Sequence, residues 1–231
     1  MQLSVFVVIL NWQRPEDTVA CVRSVQADEC SDMRVLVVDN GSTDDSVREI
    51  SSACPDIEIL KLPNNLGFAR GINAGIQYAI KHQADLILLL NNDTVVKANA
   101  ITELARSLDC NQNWSISVPK ICHFDEPERI WAAGCRWRRF PPRVTMIGLG
   151  KRDASKYNRR RELDFATGCA LLVRRTVFED IGGFDPAFSS YQEDYDFCFR
   201  ARQAGHRLVY IPRAEILHKV SQSLGENTPV R

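Results

Sequence analysis

Neither sign of charge dominates this chain: its 231 residues carry 29 Lys or Arg and 29 Asp or Glu. That balance argues against a general nucleic-acid binder, whose electrostatic footprint is a basic excess. Paired cysteines are also missing. The eight Cys stand at 21, 30, 54, 110, 122, 135, 169 and 198, with no CxxC among them, so neither a zinc ribbon nor a thioredoxin-type site is supported. Cys169 and Cys198 lie inside apolar runs and read as small core residues of a reduced, cytoplasmic protein. No hydrophobic run approaches the roughly 20 residues of a bilayer span. The N-terminal MQLSVFVVILNW has no basic leader or small-residue cleavage site and reads as a buried strand. The glycine signatures of nucleotide binding are absent too. LNWQRPED after the first strand contains no Gly, which excludes a Rossmann G-x-G-x-x-G. Gly150-Lys151 is followed by Arg152, and position 145 is Thr145, so a Walker P-loop fails twice. Gly67, Gly71 and Gly75 are spaced by four, which suits close helix packing. No internal repeat is visible.

What is present is an ordinary globular mix, 45% apolar and 25% charged, long enough for a well-buried core. The first half alternates strand and helix signals. Leu3 to Leu10 is a β-rich run. Pro15-Glu16-Asp17 opens a helix with Val19, Val22 and Val25 on one stripe. MRVLVVD is a second strand, followed by a helix expected to be capped by Ser42 or Thr43. IEILKL is a third strand, GFARGINAGIQYAIKH a helix and DLILLL a fourth strand. Continuous apolar strands separated by helices imply an α/β fold with a mostly parallel sheet covered on both faces. In such sheets ligands bind beyond the carboxyl ends of the strands. Asn11, Asp39, Asn64-Asn65 and Asn91-Asn92-Asp93 all follow strand ends, so one polar site is favoured over four unrelated turns, although Asn and Asp also serve plain turns.

The pattern changes after residue 120. Arg129 to Arg161 holds eleven Lys or Arg and one acid, Asp153, and is broken by Pro141-Pro142, Gly148 and Gly150. It reads as a long irregular segment: either a solvated loop, or an electropositive rim for phosphates or an acidic membrane surface. Phe165 to Val173 is then expected as a strand and EDYDFCFRARQAG as a helix ending at Gly205. HRLVYIP follows as another strand, and Ala214–His218 as a separate short extended piece. On that helix Asp194, Phe197, Cys198 and Ala201 share one face by i, i+3, i+4, i+7 spacing. Asp194, inward beside Tyr191 and Phe188, is a candidate general base. The plainer reading is helix capping by Glu193 and Asp194.

Taken together, VVILNWQRPEDTVACVRSV, VLVVDNGSTDDS, NNLGFARGINAGI, LLLNNDT, FATGCALLVRR, IGGFDPAFSSYQEDYDFCFRARQAG and ILHK run in an order that resembles the inverting nucleotide-sugar glycosyltransferases of the GT-A fold, family 2, especially their rhamnosyltransferase-like branch. The resemblance covers nearly the whole chain and is thinnest at 136–161. It implies one GT-A catalytic domain over 1–231, with a nucleotide-sugar-binding half (1–120) and an acceptor and catalytic half (121–231). It implies that Asp39 binds the base and that backbone around Leu10 and Asn11 holds the nucleoside. Asn64, Gly67 and Arg70 would line the donor pocket, with Asn91, Asn92 and the Thr167-Gly168 turn facing donor and acceptor. Asn91-Asn92-Asp93 stands where the family has its DxD metal motif, with Asn in place of the first Asp. Asp93 and His218 become the ligands of Mg2+ or Mn2+, and Asp194 the base. Asp196 and Glu193 would support the helix, and Trp131 or Trp137 would either stack on a sugar or pack in the core. The implied partners are a nucleoside-diphosphate sugar, first deoxythymidine-diphosphate rhamnose and then a uridine-diphosphate hexose, and a glycan or lipid-linked acceptor. Cytoplasmic placement, with peripheral contact at the inner membrane face, is compatible with these. Relatives usually continue beyond the point thirteen residues after His218 where this sequence stops. Two other classes compete: a catalytically silent nucleotide-sugar-binding protein, kept open by Asn91, and a sugar nucleotidyltransferase, disfavoured because NWQRPED lacks that class's Gly-rich loop.

Overall fold

The computed structural model describes residues 3–188 and 192–220. Its first half runs β1 (Val5–Asn11), α1 (Pro15–Gln26), β2 (Met33–Asp39), α2 (Ser46–Ala53), β3 (Glu58–Lys61), α3 (Phe68–Lys81), β4 (Leu86–Asn91). Next come β5 (Thr94–Val96), α4 (Ala100–Asp109), β6 (Ile116–His123), β7 (Ile130–Ala132), β8 (Cys135–Arg138) and β9 (Arg143–Met146). The chain closes with β10 (Arg161–Leu163), β11 (Ala170–Arg174), α5 (Arg175–Ile181), α6 (Glu193–Gln203) and β12 (Leu208–His218). One mixed sheet has the order β10-β12-β6-β11-β4-β1-β2-β3. Strands β4, β1, β2 and β3 are mutually parallel, as are β6 and β12, and antiparallel β11 joins the two sets.

Period-two alternation divides the apolar strands between two cores. Phe6, Val8, Leu36, Val38, Ile87 and Leu89 face Ile72 and Ile76 of α3 and Phe197 of α6. Val5, Val7, Ile9, Val35, Val37, Leu86, Leu88 and Leu90 face Val22 and Val25 of α1, Ile50 of α2 and Leu104 of α4. This two-sided burial explains why the strands read as unbroken apolar runs. Helix α3 lies so close that a Cβ on Gly75 would sit 2.3 Å from Val8 Cγ1, and one on Gly71 2.7 Å from Leu10 Cδ1. Gly71 and Gly75 are thus packing devices, as expected, whereas Gly67 has open space around it and a positive φ of +81° at the helix start, which packing does not explain.

Several elements differ from the sequence expectation. The buried stripe of α1 is Thr18, Cys21, Val22 and Val25, with Val19 at its margin, because Thr18 turns inward to hydrogen bonds. Neither Ser42 nor Thr43 caps α2. Ser42 Oγ donates to Asp39 at 2.6 Å and Thr43 Oγ1 accepts from Gln13 Nε2 at 2.7 Å, so the helix starts later, at Ser46. The strand expected over 165–173 begins only at Ala170; Phe165 instead bridges Cys135. The two final extended pieces are one strand, β12, with a register shift between Ile211 and Glu215, where Pro212 supplies no ladder N–H.

The segment 129–161 is not irregular. Besides β7 it contains a β8–β9 hairpin and a 3-10 turn at Ser155–Tyr157. Its anchor is Lys120 in β6, a buried ammonium that donates to Asp153 at 2.7 Å, Asn158 at 2.8 Å and Glu215 at 2.9 Å. Three acceptors from two distant stretches satisfy all three ammonium protons.

Candidate functional site

Strands β1, β2 and β4 deliver their polar ends into one hydrogen-bonded chain. Asn92 Nδ2 donates to Thr18 Oγ1 at 3.1 Å, Thr18 Oγ1 donates to Asn11 Oδ1 at 2.8 Å, and Asn11 Nδ2 donates to Asp39 Oδ1 at 2.9 Å. Ser42 completes it, its Oγ donating to Asp39 Oδ1 at 2.6 Å and its N–H to Oδ2 at 3.1 Å. Asp39 is buried, and these bonds use three of the roughly four acceptor positions of a carboxylate, leaving one on Oδ2. Leu10 and Asn11 end β1, and the Asn11 carbonyl accepts the Asn40 N–H at 2.8 Å.

The loop before α3 is clipped beside this chain. Asn40 Nδ2 donates to Asn65 Oδ1 at 3.0 Å, and Asn40 Oδ1 accepts the Leu66 N–H at 3.0 Å. Gly41, at φ +74°, passes so near that a Cβ would sit 2.3 Å from the Asn64 backbone carbon; only glycine fits both constraints. Asn64 and Arg70 stand exposed on the rim, and Gly67, with φ +81°, opens α3.

Asp93 and His218 meet because β12 runs antiparallel to β5, pairing His218 with Thr94, while the Lys219 N–H donates to the Asp93 carbonyl at 2.9 Å. His218 Nε2 comes within 3.3 Å of Asp93 Oδ1, both side chains being buried. The contact lacks hydrogen-bond geometry, which leaves Asp93 Oδ1 buried without a hydrogen-bond partner among the described residues; the other ring nitrogen, His218 Nδ1, is likewise buried without one. Such atoms are costly unless something else satisfies them. A carboxylate oxygen and an imidazole nitrogen side by side form a donor pair suited to Mn2+ or, less well, Mg2+, which prefers oxygen alone. Among the described residues no cluster of three or more His, Cys, Asp or Glu is arranged to hold a metal. Burial pulls the His218 pKa down, but neighbouring Cys169 and Asp93 outweigh it and raise it to about 10. Trp131 packs edge-on against the His218 ring, centroids 4.5 Å apart, so it orients that ring.

The loop before β11 ties this pair to α6. The Asn91 N–H donates to the Cys169 carbonyl at 3.0 Å, and one residue earlier the Gly168 N–H donates to Asp194 Oδ2 at 2.8 Å. Asp194 Oδ1 accepts the Tyr195 N–H at 2.8 Å. Burial raises the Asp194 pKa against the opposing pull of these backbone bonds, which makes it a stronger proton acceptor than an exposed carboxylate. Thr167 Oγ1 is buried without a hydrogen-bond partner among the described residues, as is Glu193 Oε2. Burial raises the Glu193 pKa as well. Asp196 pairs with Arg200 at 2.7 Å and serves the helix. Phe188 is half-buried, its N–H bonded to the Asp185 carbonyl; Tyr191 lies outside the described residues. Trp137 is 45% exposed and leans towards Phe165, which packs edge-on against Tyr195.

Sequence reading thus named Asn11, Asp39, Asn92, Asp93, Gly168, Asp194 and His218, which are drawn into these bonded groups. It missed Thr18, Ser42 and Asn40, which hold them. Ser42, three residues after Asp39, carried the only local signal, that of a side chain bonding back across a turn.

The chain is 25% identical over 226 residues to an N-acetylglucosaminyl-diphospho-decaprenol L-rhamnosyltransferase of Mycobacterium tuberculosis, covering 84% of this chain and 68% of that protein. It is 28% identical over 219 residues to a low-salt glycan biosynthesis hexosyltransferase of Haloferax volcanii, covering 92% of this chain and 66% of that protein. This sequence therefore spans about two thirds of the length of these relatives. In fold it resembles GalNAc-T7, crystallised with UDP, GalNAc and Mn2+, with a TM-score of 0.76 at 16% identity over 94% of this chain and 44% of that one. Such a neighbour shows a GT-A glycosyltransferase fold. Residues 2–228 match the Glycosyltransferase like family 2, and the chain belongs to that family.

Proposed function

We propose that this protein moves a sugar from a nucleoside-diphosphate donor to a hydroxyl of a glycan or lipid-linked acceptor, inverting the anomeric configuration. The observation that carries the reading is the 167–169 loop. It is bonded on one side to the strand end bearing Asp93 and on the other to Asp194, so a cation pair and a base flank a single turn. In this reading the whole domain is one catalytic unit, residues 1–120 holding the donor and 121–231 the acceptor and base. Asp39 uses its remaining acceptor position on a base N–H, and backbone at Leu10 and Asn11 lines the nucleoside. Asn64, Gly67 and Arg70 rim the donor pocket, with Arg70 turned to phosphate charge. Asp93 and His218 hold Mn2+ or Mg2+, which, when bound, neutralises charge developing on the leaving diphosphate. Asn91, an uncharged amide, and Asn92, tied to Thr18, shape the strand end. Thr167 and Gly168 face donor and acceptor. Asp194 takes the acceptor hydroxyl proton as that oxygen attacks the anomeric carbon from the face opposite the departing phosphate oxygen; no covalent sugar–protein intermediate forms. A rhamnosyl donor, with deoxythymidine diphosphate as the first carrier to test, is in keeping with the named activity of the mycobacterial relative, which is an L-rhamnosyltransferase acting on a lipid diphosphate acceptor.

Calorimetric titration of deoxythymidine diphosphate and uridine diphosphate, with and without Mn2+, tests this on the wild type and Asp93→Ala. Metal-strengthened binding in the wild type alone is expected, and the tighter nucleotide identifies the base. Equal binding with and without Mn2+ would remove Asp93 from the metal role. Retained nucleotide binding with no sugar transfer to any acceptor would favour a silent binding protein instead.

A further inference from the structure

The β8–β9 hairpin concentrates positive charge around one exposed apolar tip. Across Arg136-Trp137-Arg138-Arg139-Phe140-Pro141-Pro142-Arg143 there are four arginines and no acid. Some exposed arginines elsewhere are matched, as in Arg34–Glu58, Arg48–Asp45 and Arg207–Glu162. None of the four hairpin arginines makes an ion pair among the described residues. Arg138 and Arg143 are direct cross-strand partners, a like-charge pairing that disfavours the hairpin unless an external anion offsets it. Arg136 and Arg138 also line one open groove with Thr145 and Ile147. At the tip Phe140 is 89% exposed, the most exposed large apolar side chain among the described residues. The opposite face is not free. Trp137 and Val144 pair there, Val144 and Met146 pack on the core, and the Trp137 N–H is held by Asp164.

The geometry points to this hairpin as a docking element for an anionic lipid bilayer, with Phe140 entering the interface and Arg136, Arg138, Arg139 and Arg143 contacting headgroup phosphates. Arginines alone would suit any polyanion. A fully exposed Phe at the apex of the arginine cluster gains only where an apolar layer lies beneath the charge. The hairpin root adjoins the catalytic candidate through Trp137, Phe165 and Tyr195, the residue after Asp194. Resting on the transferase reading, docking here would bring a membrane-borne acceptor to the Asp194 side of the site.

Flotation of the full chain with vesicles tests this. Phosphatidylcholine mixed with phosphatidylglycerol should bind the protein and phosphatidylcholine alone should not, and added salt should release it. With each surface arginine worth about fivefold in partitioning, Arg138→Glu with Arg143→Glu should lower binding at least about 25-fold. Phe140→Ser should lower it about tenfold or more with unchanged salt dependence. Absence of vesicle binding by the wild type, or loss with the arginine pair but none with Phe140→Ser, overturns the membrane assignment; the second result assigns the hairpin to a soluble polyanion. Nucleotide titration of the same variants separates this from the transferase reading, since both should bind the donor nucleotide as the wild type does.

Discussion

A carboxylate works as a base only while ionised, and Asp194 is held where ionisation is harder than usual. Burial raises its pKa, and the Gly168 and Tyr195 N–H groups oppose the rise without cancelling it. Protonated Asp194 cannot take a hydroxyl proton, so kcat/KM should fall as pH drops through a pKa above the ordinary carboxylate range. A pH–rate profile checks this, and an acid limb at the usual carboxylate position would count against Asp194. Asp194→Asn should lower kcat about 10²- to 10⁴-fold and leave nucleotide affinity unchanged in the calorimeter. Thr18 invites a different change. Thr18→Val keeps its shape but leaves Asn11 Oδ1 without its donor and Asn92 Nδ2 without its acceptor. An unsatisfied buried group costs about 1–3 kcal/mol, so denaturant unfolding should register that loss. Nucleotide affinity should fall with it, because Asn11 orients Asp39.

At the scale of elements, α3 is set against the sheet by glycine. Alanine at position 75 would favour the helix by about 1 kcal/mol, yet its Cβ would lie 2.3 Å from Val8 and 2.9 Å from Val38. Overpacking of this kind costs about 1–3 kcal/mol, so Gly75→Ala should lower the thermal midpoint despite the better helix former; a raised midpoint would mean α3 can move away freely. The parallel half was legible because each of its signals is local. Apolar runs such as Val35–Val38, Pro15 at a helix start and polar strand ends all lie within a few residues. The antiparallel half was less so. Strand β6 carries a lysine and a proline, VPK, in its middle, and that lysine is acceptable only because Asp153, Asn158 and Glu215 come from far along the chain. Asp93 and His218 were paired by resemblance to a family rather than by spacing. Their contact depends on the β5–β12 ladder, joining residues over 120 positions apart, which no local pattern announces.

At the scale of the whole molecule, Lys120 joins the sheet to the segment 129–161, which frames the acceptor side in the proposed reading. Its buried ammonium meets Asp153 and Asn158 of that segment and Glu215 beside the β12 register shift. Burial disfavours the charged lysine, but the carboxylates outweigh it and its pKa is raised; burial also acts on Glu215, and its lysine partners lower its pKa overall. The signs set the pH window. A lowered carboxylate pKa contributes stability that is present above the ordinary Glu value and lost as pH falls through the folded one. A raised lysine pKa contributes until pH climbs through its folded value, far into alkali. The anchor should therefore hold across neutral pH and loosen in acid. Lys120→Met removes the cation that Asp153 and Glu215 share; because those carboxylates stay 25% and 30% exposed, the cost should fall below the roughly 3–5 kcal/mol of a fully buried pair that loses one partner. Amide hydrogen exchange should then rise first across residues 129–161, ahead of β1, β2 and β4, whose two-sided core does not include Lys120. Uniform exchange throughout the chain would instead show that the lysine supports global folding and that segment 129–161 has no separate anchor.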